Sequence, residues 1–374
     1  MDPYIPKPLP PKSIDWEMHI TTMVKANRML AKYGGILHSI INPDVLLSPL
    51  TINEAVLSSR IEGTQASLEE VLQYGGDSNK QIEPEKRDDI QEVINYHLAM
   101  NMAVGALKKR PLCVNTICDI HRILLNGVRG ISKQPGEIRH TQNYIASPGS
   151  PIGKAIFIPP EPSIVMDALS NWENYLHQDE DEAKDFLVQL ALVKAQFELI
   201  HPFLDGNGRI GRMLVPLVLY YKGLIPRPAF YVSSYLERHR DVYYERLGAI
   251  SRDEDWNGWI SFFLGAVQDQ ADENSRKALA IRDLYNIMKD KIPEITRSPS
   301  TIKAIDTIFS QPIFSSTYFS DKSEIKSRET STRMLRELRD NGILDILREA
   351  SGRRPATYIF TELLGIIQRE ESET

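Results

Sequence analysis

Cysteine is nearly absent. Cys113 and Cys118 are the only two in 374 residues, which excludes a disulfide scaffold and an all-cysteine zinc site. Their C-x4-C spacing on an apolar stretch reads as core rather than redox chemistry. Long apolar runs are missing too: none approaches the roughly 20 residues that a membrane helix needs, so no membrane partner is expected. Met1 to Ser13 is proline-rich and polar, without the apolar stretch of a secretory signal, and a cytoplasmic chain is expected. Positive charge is not in excess, since 44 Lys and Arg face 50 Asp and Glu for a net of −6. That argues against a nucleic-acid binder along the whole chain, though it leaves room for a local basic face. No G-x-x-x-x-G-K-[ST] segment occurs, so this is not a P-loop ATPase.

What is present is helical periodicity, with no internal repeat. The length allows two or three compact units. Residues 1–12 carry five prolines and read as an extended arm. Ile14 to about Ala31 reads as an amphipathic helix broken at Gly34-Gly35. Thr51-Ile-Asn-Glu54 reads as a capping box opening a helix that stops at Gly63, and Ser67-Leu-Glu-Glu70 as a second box. Helices are expected over Glu85–Lys109 and Asn115 to about Asn126. Between Gly127 and Pro162 the short apolar pieces among Gly, Pro and Ser suggest a β-hairpin flap. Helices resume over Ser163–Leu176 and Glu182–Ile200, the latter so apolar that it reads as the buried centre of a bundle. Further helices follow from near Gly208, over Tyr235–Ile250 and over Trp256–Asn274. Ile292–Ser300 reads as a junction. Beyond it three helical segments and a basic hairpin suggest a winged helix-turn-helix.

One segment concentrates chemistry: His201-Pro-Phe-Leu-Asp-Gly-Asn-Gly-Arg-Ile-Gly-Arg212. Gly206 and Gly208 allow main-chain amides to approach an anion, and the positive end of the following helix points the same way. Arg209 and Arg212 can both reach the mouth of this loop. Asp205 beside an anion nest suggests a cation between them, Mg²⁺. His201 is a candidate general base, and Phe203 an apolar anchor.

The segment resembles the Fic-domain motif H-P-F-x-[DE]-G-N-G-R-x-x-R at every defining position, and the surrounding helices and flap fit that family over about residues 110–290. The resemblance implies a mainly α fold, a Fic helical bundle with a β-hairpin flap. It implies a protein AMP transferase, which moves AMP from ATP to a Ser, Thr or Tyr hydroxyl and releases pyrophosphate. His201 would then take the hydroxyl proton and Asp205 would hold Mg²⁺. Gly206, Asn207 and Gly208 would form the anion hole, and Arg209 and Arg212 would hold the terminal phosphates. Of the pair Tyr243-Tyr244, Tyr244 is the expected nucleoside contact, while Ser251 stands where some relatives carry a helpful Asn. The flap residues Ile152, Gly153, Lys154 and Ala155 would pair with an extended stretch of the target.

Ser58-Ser-Arg-Ile-Glu62-Gly63 resembles a second Fic signature, [ST]-x-x-x-E-[GN], of an inhibitory helix lying over the nucleotide site. Glu62 would pair with Arg212 and keep it from the γ-phosphate, with Ser58 holding the helix end. Breaking such a pair without replacement costs about 3–5 kcal/mol, which the incoming phosphate offsets.

The expected organisation is an N-terminal helical region with the inhibitory helix over 1–110, a Fic catalytic domain over 111–290 and a winged-helix module over 291–374. Between Lys322 and Arg354 nine basic residues face six acidic ones, yet residues 297–374 hold twelve of each. DNA is thus one expected partner of the last module; a docked target or a second copy, as a homodimer, is the other. Rival readings are a DNA-binding regulator whose Fic domain senses nucleotide, and a Fic enzyme that phosphorylates or removes AMP.

Overall fold

The computed structural model describes residues 2–76, 84–127, 133–146, 151–179, 182, 184–325 and 327–369. Its helices are α1 (Trp16–Ser39), α2 (Pro43–Leu46), α3 (Ser48–Ile61), α4 (Leu68–Gly76), α5 (Pro84–Leu107), α6 (Val114–Leu124), α7 (Pro162–Leu176) and α8 (Phe186–Ile200). They continue with α9 (Asn207–Tyr221), α10 (Ser233–Arg238), α11 (Arg240–Asp253), α12 (Trp256–Thr296) and α13 (Thr301–Ser310). After strand β1 (Ile313–Ser315) come α14 (Ser316–Lys322), α15 (Arg328–Asp340), β2 (Asp345–Arg348), β3 (Thr357–Ile359) and α16 (Thr361–Gln368). The chain is mainly helical. It forms two units that interleave along the sequence: Met1–Gly34, Leu57–Gly63 and Asn95–Asp272 make the first, and Gly35–Val56, Thr64–Ile94 and Glu273–Thr374 the second.

The first unit is built around α8. Leucine, valine and alanine dominate all its faces, and every residue from Leu187 to Ile200 except Glu198 is buried. A helix apolar all round must be surrounded, and α7 and α9 pack on it. Its start is fixed by Asp185, whose carboxylate accepts the Leu187 and Val188 N–H groups, an N-cap. Two indoles seat neighbouring helices on it: Trp172 donates to the Val193 carbonyl (2.7 Å) and Trp259 to that of Ala191 (2.8 Å). Buried Trp N–H groups need such partners. Among its described residues the proline-rich arm forms neither helix nor strand. Gln196 donates to the Lys7 carbonyl, Asn171 accepts the Leu9 N–H, and the Tyr4 N–H reaches the Ile158 carbonyl. The flap is a hairpin with a single bridge among the described residues, Ile145 to Phe157, and one 3-10 turn at Ile152–Lys154.

In the second unit β1, β3 and β2 lie side by side in that order, all antiparallel, with Phe314 opposite Tyr358 and Tyr358 opposite Ile346. α4 packs on β1 so closely that a Cβ on Gly76 would collide with the Ile313 carbonyl. Gln311 donates to Leu72 O across the same contact (2.6 Å). The Ser67 box forms as expected: Ser67 N–H bonds Glu70 and Glu70 N–H bonds Ser67 Oγ. Ser327 caps α15 through the Thr330 N–H. That helix buries Met334, Leu335 and Leu338 and exposes Arg328, Thr332, Arg333 and Arg336. Lys326 lies outside the described residues.

Four expectations need correction. Gly34-Gly35 does not break α1, which runs to Ser39. A Cβ at Gly34 would stand 3.2 Å from the Leu224 carbonyl, so this glycine serves close approach. Thr51 is not a cap: α3 starts at Ser48, and the Thr51 hydroxyl bonds back to Leu47 O inside the helix. Tyr235–Ile250 is two helices, because His239 (φ −110°, ψ 34°) leaves the helical region between α10 and α11. The junction at Ile292–Ser300 is helical as far as Thr296. Pro293 falls in the last turn of α12, where the lost N–H removes one bond near an end that frays anyway.

Candidate active site

At the end of α8, His201 takes the left-handed conformation (φ 50°), and its N–H closes the helix on Phe197 O. Its Nδ1 lies 3.2 Å from the Glu198 carbonyl. A carbonyl can only accept, so the proton sits on Nδ1 and Nε2 keeps its lone pair. Burial pushes the imidazole's proton affinity down, the Glu198 carbonyl bond opposes this, and the Arg139 charge adds to the fall.

The loop that follows is closed by Asn207. Its Oδ1 accepts the Phe203 N–H (2.9 Å) and its Nδ2 donates to Phe203 O (2.8 Å), all buried. What Asn207 can offer an anion is therefore its main-chain N–H. Gly206 opens α9 at φ 77°, donates to Asp205 Oδ1, and lies so near α6 that a Cβ there would touch Leu124 and His121. Phe203 stacks on the His121 ring at 3.9 Å, the apolar anchor expected of it.

Two residues with no place in either motif hold this loop to the stem of the flap. The wholly buried His121 accepts the Gly136 N–H on Nδ1 (2.7 Å) and donates from Nε2 to the Asp205 carbonyl (3.1 Å). Burial takes its pKa down to about 4, so it stays neutral. Arg139 is buried too. Its guanidinium donates to the carbonyls of His201, Thr141, Pro160 and Ile200, and desolvation lowers its pKa to about 10. Asn143 Nδ2 adds a bond to Phe203 O (3.0 Å). A lone buried Arg bonded only to carbonyls leaves no sequence signal, because its partners are backbone.

The end of α3, the segment carrying the second motif, faces α9. Arg212, wholly buried, donates from Nε to Ser58 Oγ (2.9 Å) and from Nη2 to Ser58 O (2.9 Å) and Glu62 Oε1 (2.6 Å). Desolvation would raise the Glu62 carboxyl, but the Arg212 charge and hydrogen bond outweigh it and hold the group below its usual range, with Arg209 and His201 adding. Gly63 ends the segment at φ 100°. A Cβ on Gly208 would collide with Glu62 Oε1 and stand 3.0 Å from Arg212 Nη1, an atom with no hydrogen-bond acceptor among the described residues. Arg209 reaches Asp205 Oδ1 at 3.4 Å, and the Asp205 carboxylate is half exposed.

Of the tyrosine pair, Tyr243 is buried with its hydroxyl on Glu198, whereas Tyr244 is 43% exposed, with Arg240 over its ring. Among the causes acting on its hydroxyl are the Glu62 and Arg212 charges, after desolvation. Ser251 is tied back to Gly248 O. In the flap turn Gly153 and Lys154 are exposed and Ala155 half-buried, while the Ile152 side chain lies outside the described residues. Among the described residues no three His, Cys, Asp or Glu side chains form a metal cluster, and no helix is long and apolar enough to cross a membrane.

The chain resembles known proteins at both levels. It is 27% identical over 161 residues to the protein adenylyltransferase fic-1 of Caenorhabditis briggsae, 40% of this chain and 30% of that protein. It is 29% identical over 140 residues to the protein adenylyltransferase Fic of Drosophila grimshawi, 37% of this chain and 27% of that one. The match thus spans under a third of either relative's length. In fold it is similar to a Fic family protein from Desulfovibrio desulfuricans (TM-score 0.57, 20% identity, 94% of this chain and 98% of that one). It is also similar to residues 134–508 of Fic-1 from Caenorhabditis elegans (TM-score 0.53, 19% identity, 69% and 73%). The Fic/DOC family N-terminal model matches residues 20–105 and the Fic/DOC family model residues 111–219, the second containing the whole loop and the first the Glu62 segment: the chain belongs to the Fic/DOC family.

Proposed function

We propose that the chain is an autoinhibited protein AMP transferase. The observation that carries this reading is the anion cradle at the start of α9. Arg212 Nη1 is buried without an acceptor among the described residues, and the lack of a side chain on Gly208 admits the Glu62 carboxylate where a Cβ would collide with it. A phosphate oxygen suits that place once the Glu62 carboxylate leaves it. Negative charge there gains from the helix N-terminus as well as from the arginine.

The residues present fit ATP with Mg²⁺. Mg²⁺ keeps several waters and takes one or two carboxylates plus phosphate oxygens; Asp205 supplies one half-exposed carboxylate, and bound there the ion would offset phosphate charge. His201 Nε2, left unprotonated by the Glu198 carbonyl bond, accepts the proton of the target Ser, Thr or Tyr hydroxyl. The hydroxyl oxygen bonds to the α-phosphorus, the bond from that phosphorus to the bridging oxygen breaks, and pyrophosphate leaves. Arg209 and Arg212 orient the leaving phosphates, and such arginines contribute about 10³–10⁵-fold in phosphoryl transfer. Tyr244, the exposed member of its pair, contacts the nucleoside. The target aligns as an extended strand on the flap.

Glu62 is the brake. Its ion pair with Arg212 (2.6 Å) occupies Nη2, a donor that a γ-phosphate would use, and Ser58 holds the guanidinium in that pose. The names of the relatives, protein adenylyltransferases, support AMP rather than phosphate as the group moved. Incubation with α-labelled or γ-labelled ATP, Mg²⁺ and cytoplasmic lysate decides between them. Label on protein from the α position alone supports AMP transfer; label from the γ position alone means phosphorylation.

A second reading concerns Thr301–Phe360. The order helix, strand, two helices and hairpin, with Arg328, Arg333 and Arg336 on the exposed face of α15, supports a winged helix with a DNA-facing helix. A gel shift that weakens steeply with salt tests it.

A further inference from the structure

One ion pair, wholly buried at Lys194 and 10% exposed at the Glu198 side chain, has no role in the reaction above. Lys194, wholly buried on α8, donates to Glu198 Oε1 (2.7 Å) and to the Tyr243 hydroxyl (3.0 Å). Its ammonium also lies 4.5 Å from the centre of the Tyr243 ring and 5.1 Å from that of Trp259. Tyr243 in turn donates to Glu198 Oε2 (2.7 Å). The Glu198 carboxylate is thus held at both oxygens. It rests on α9 at Gly211, where a Cβ would collide with Oε1. Burying a Lys and a Glu together costs desolvation that apolar residues of similar size would avoid, so the pair calls for a reason beyond stability.

Its placement supplies one. Glu198 touches two parts of the site by two different groups. Its main-chain carbonyl fixes the His201 Nδ1 proton, and its carboxylate seats Gly211, the residue before Arg212. We infer that Glu198, held by Lys194 and Tyr243, is a positioning residue that locks the base His201 and the clamp Arg212 into one geometry and charges the ground beneath both. The inference deepens the proposed reaction and rests on it for its catalytic meaning.

The charged groups acting on His201 are Glu198 from its own helix, Arg139 from the flap stem and Glu62 from the end of α3. Of these, Arg139 opposes protonation and the two carboxylates favour it. Removing the Glu198 charge while keeping its shape therefore makes His201 harder to protonate, a change that loss of packing alone does not produce.

The test is an NMR pH titration of the His201 ring proton in the full chain, assigned by its loss in His201→Ala. Glu198→Gln is compared with wild type. Because Glu198→Gln leaves Lys194 without a counter-charge, Glu198→Gln/Lys194→Met, which removes both charges together, is measured alongside. The expected result is a titration midpoint of His201 lowered by about threefold or more in proton affinity in Glu198→Gln, and by less in the double variant, where the opposing Lys194 charge goes too. In the Glu62→Gly background the acid limb of transfer moves down with it, while KM for ATP rises because Arg212 is less well held. An unchanged midpoint in both variants overturns the inference. Absence of transfer in every protein, Glu62→Gly included, would instead remove the proposed reaction, and the titration would still decide the role of Glu198.

Discussion

His121 sets a pH limit on the first unit. In the folded chain it must stay neutral, because Nδ1 accepts from Gly136 while Nε2 donates to Asp205 O. Protonation destroys the acceptor. Burial brings its pKa to about 4 from 6.5, so the folded state binds this proton more weakly than the unfolded chain. Well above pH 6.5 neither state is protonated and the contribution is complete. As pH falls from 6.5 towards 4, only the unfolded chain gains the proton and stability drains away. The full difference corresponds to about 3 kcal/mol, of which about 2 kcal/mol is gone by about pH 5. Urea unfolding at about pH 8 and pH 5, followed by tryptophan fluorescence, measures it. His121→Gln keeps a donor for Asp205 and cannot titrate. It lowers stability at pH 8 but shrinks the loss between pH 8 and pH 5 by about 2 kcal/mol relative to wild type. An equal pH loss in both proteins would refute the reasoning, since other histidines would then carry it.

Three further outcomes follow from the same geometry. Gly208→Ala in a Glu62→Gly background, where the collision with Glu62 is gone, still lowers ATP affinity at least about tenfold by calorimetry, because the Cβ takes phosphate space beside Arg212 Nη1. Asn207→Ala strands the Phe203 N–H, while the carbonyl keeps its bond from Asn143, and lowers stability by about 1–3 kcal/mol in thermal unfolding; an unchanged midpoint would mean that water replaces the staple. Gly35→Ala, with open space at its Cβ, gains about 1 kcal/mol of helix stability, whereas Gly34→Ala loses that gain against the Leu224 carbonyl. Equal melting temperatures for the two would deny that contact.

The fold was legible where side chains signal to their own neighbourhood. The apolar run of α8 and the Ser67–Glu70 box act within a few residues, and the twelve-residue segment His201–Arg212 carries its glycines, Asn207 and its arginines in one stretch. Signals that depend on a distant partner could not be read. Gly34 looks like a breaker until Leu224 O is opposite it. Thr51 looks like a cap until the helix is seen to start at Ser48, and Pro293 looks like a boundary until its place in the last turn is known. The supports of the site were illegible for the same reason. His121 and Arg139 bind main-chain carbonyls and amides, which every sequence has, and Lys194 meets Tyr243 only through the packing of α8 with α11. The Ser58–Glu62 segment was legible by family resemblance, not by its own chemistry.

The central claim is that His201 transfers AMP under the restraint of Glu62. Its most direct measurement is the rate of α-label incorporation into protein by wild type, Glu62→Gly and His201→Ala, each with Mg²⁺ and lysate at matched folded concentration. The account predicts Glu62→Gly faster than wild type by an order of magnitude or more, and no incorporation by His201→Ala, since a positioned base contributes about 10²–10⁴-fold. Equal rates for wild type and Glu62→Gly would contradict the brake, and label transferred by His201→Ala at the wild-type rate would contradict the base.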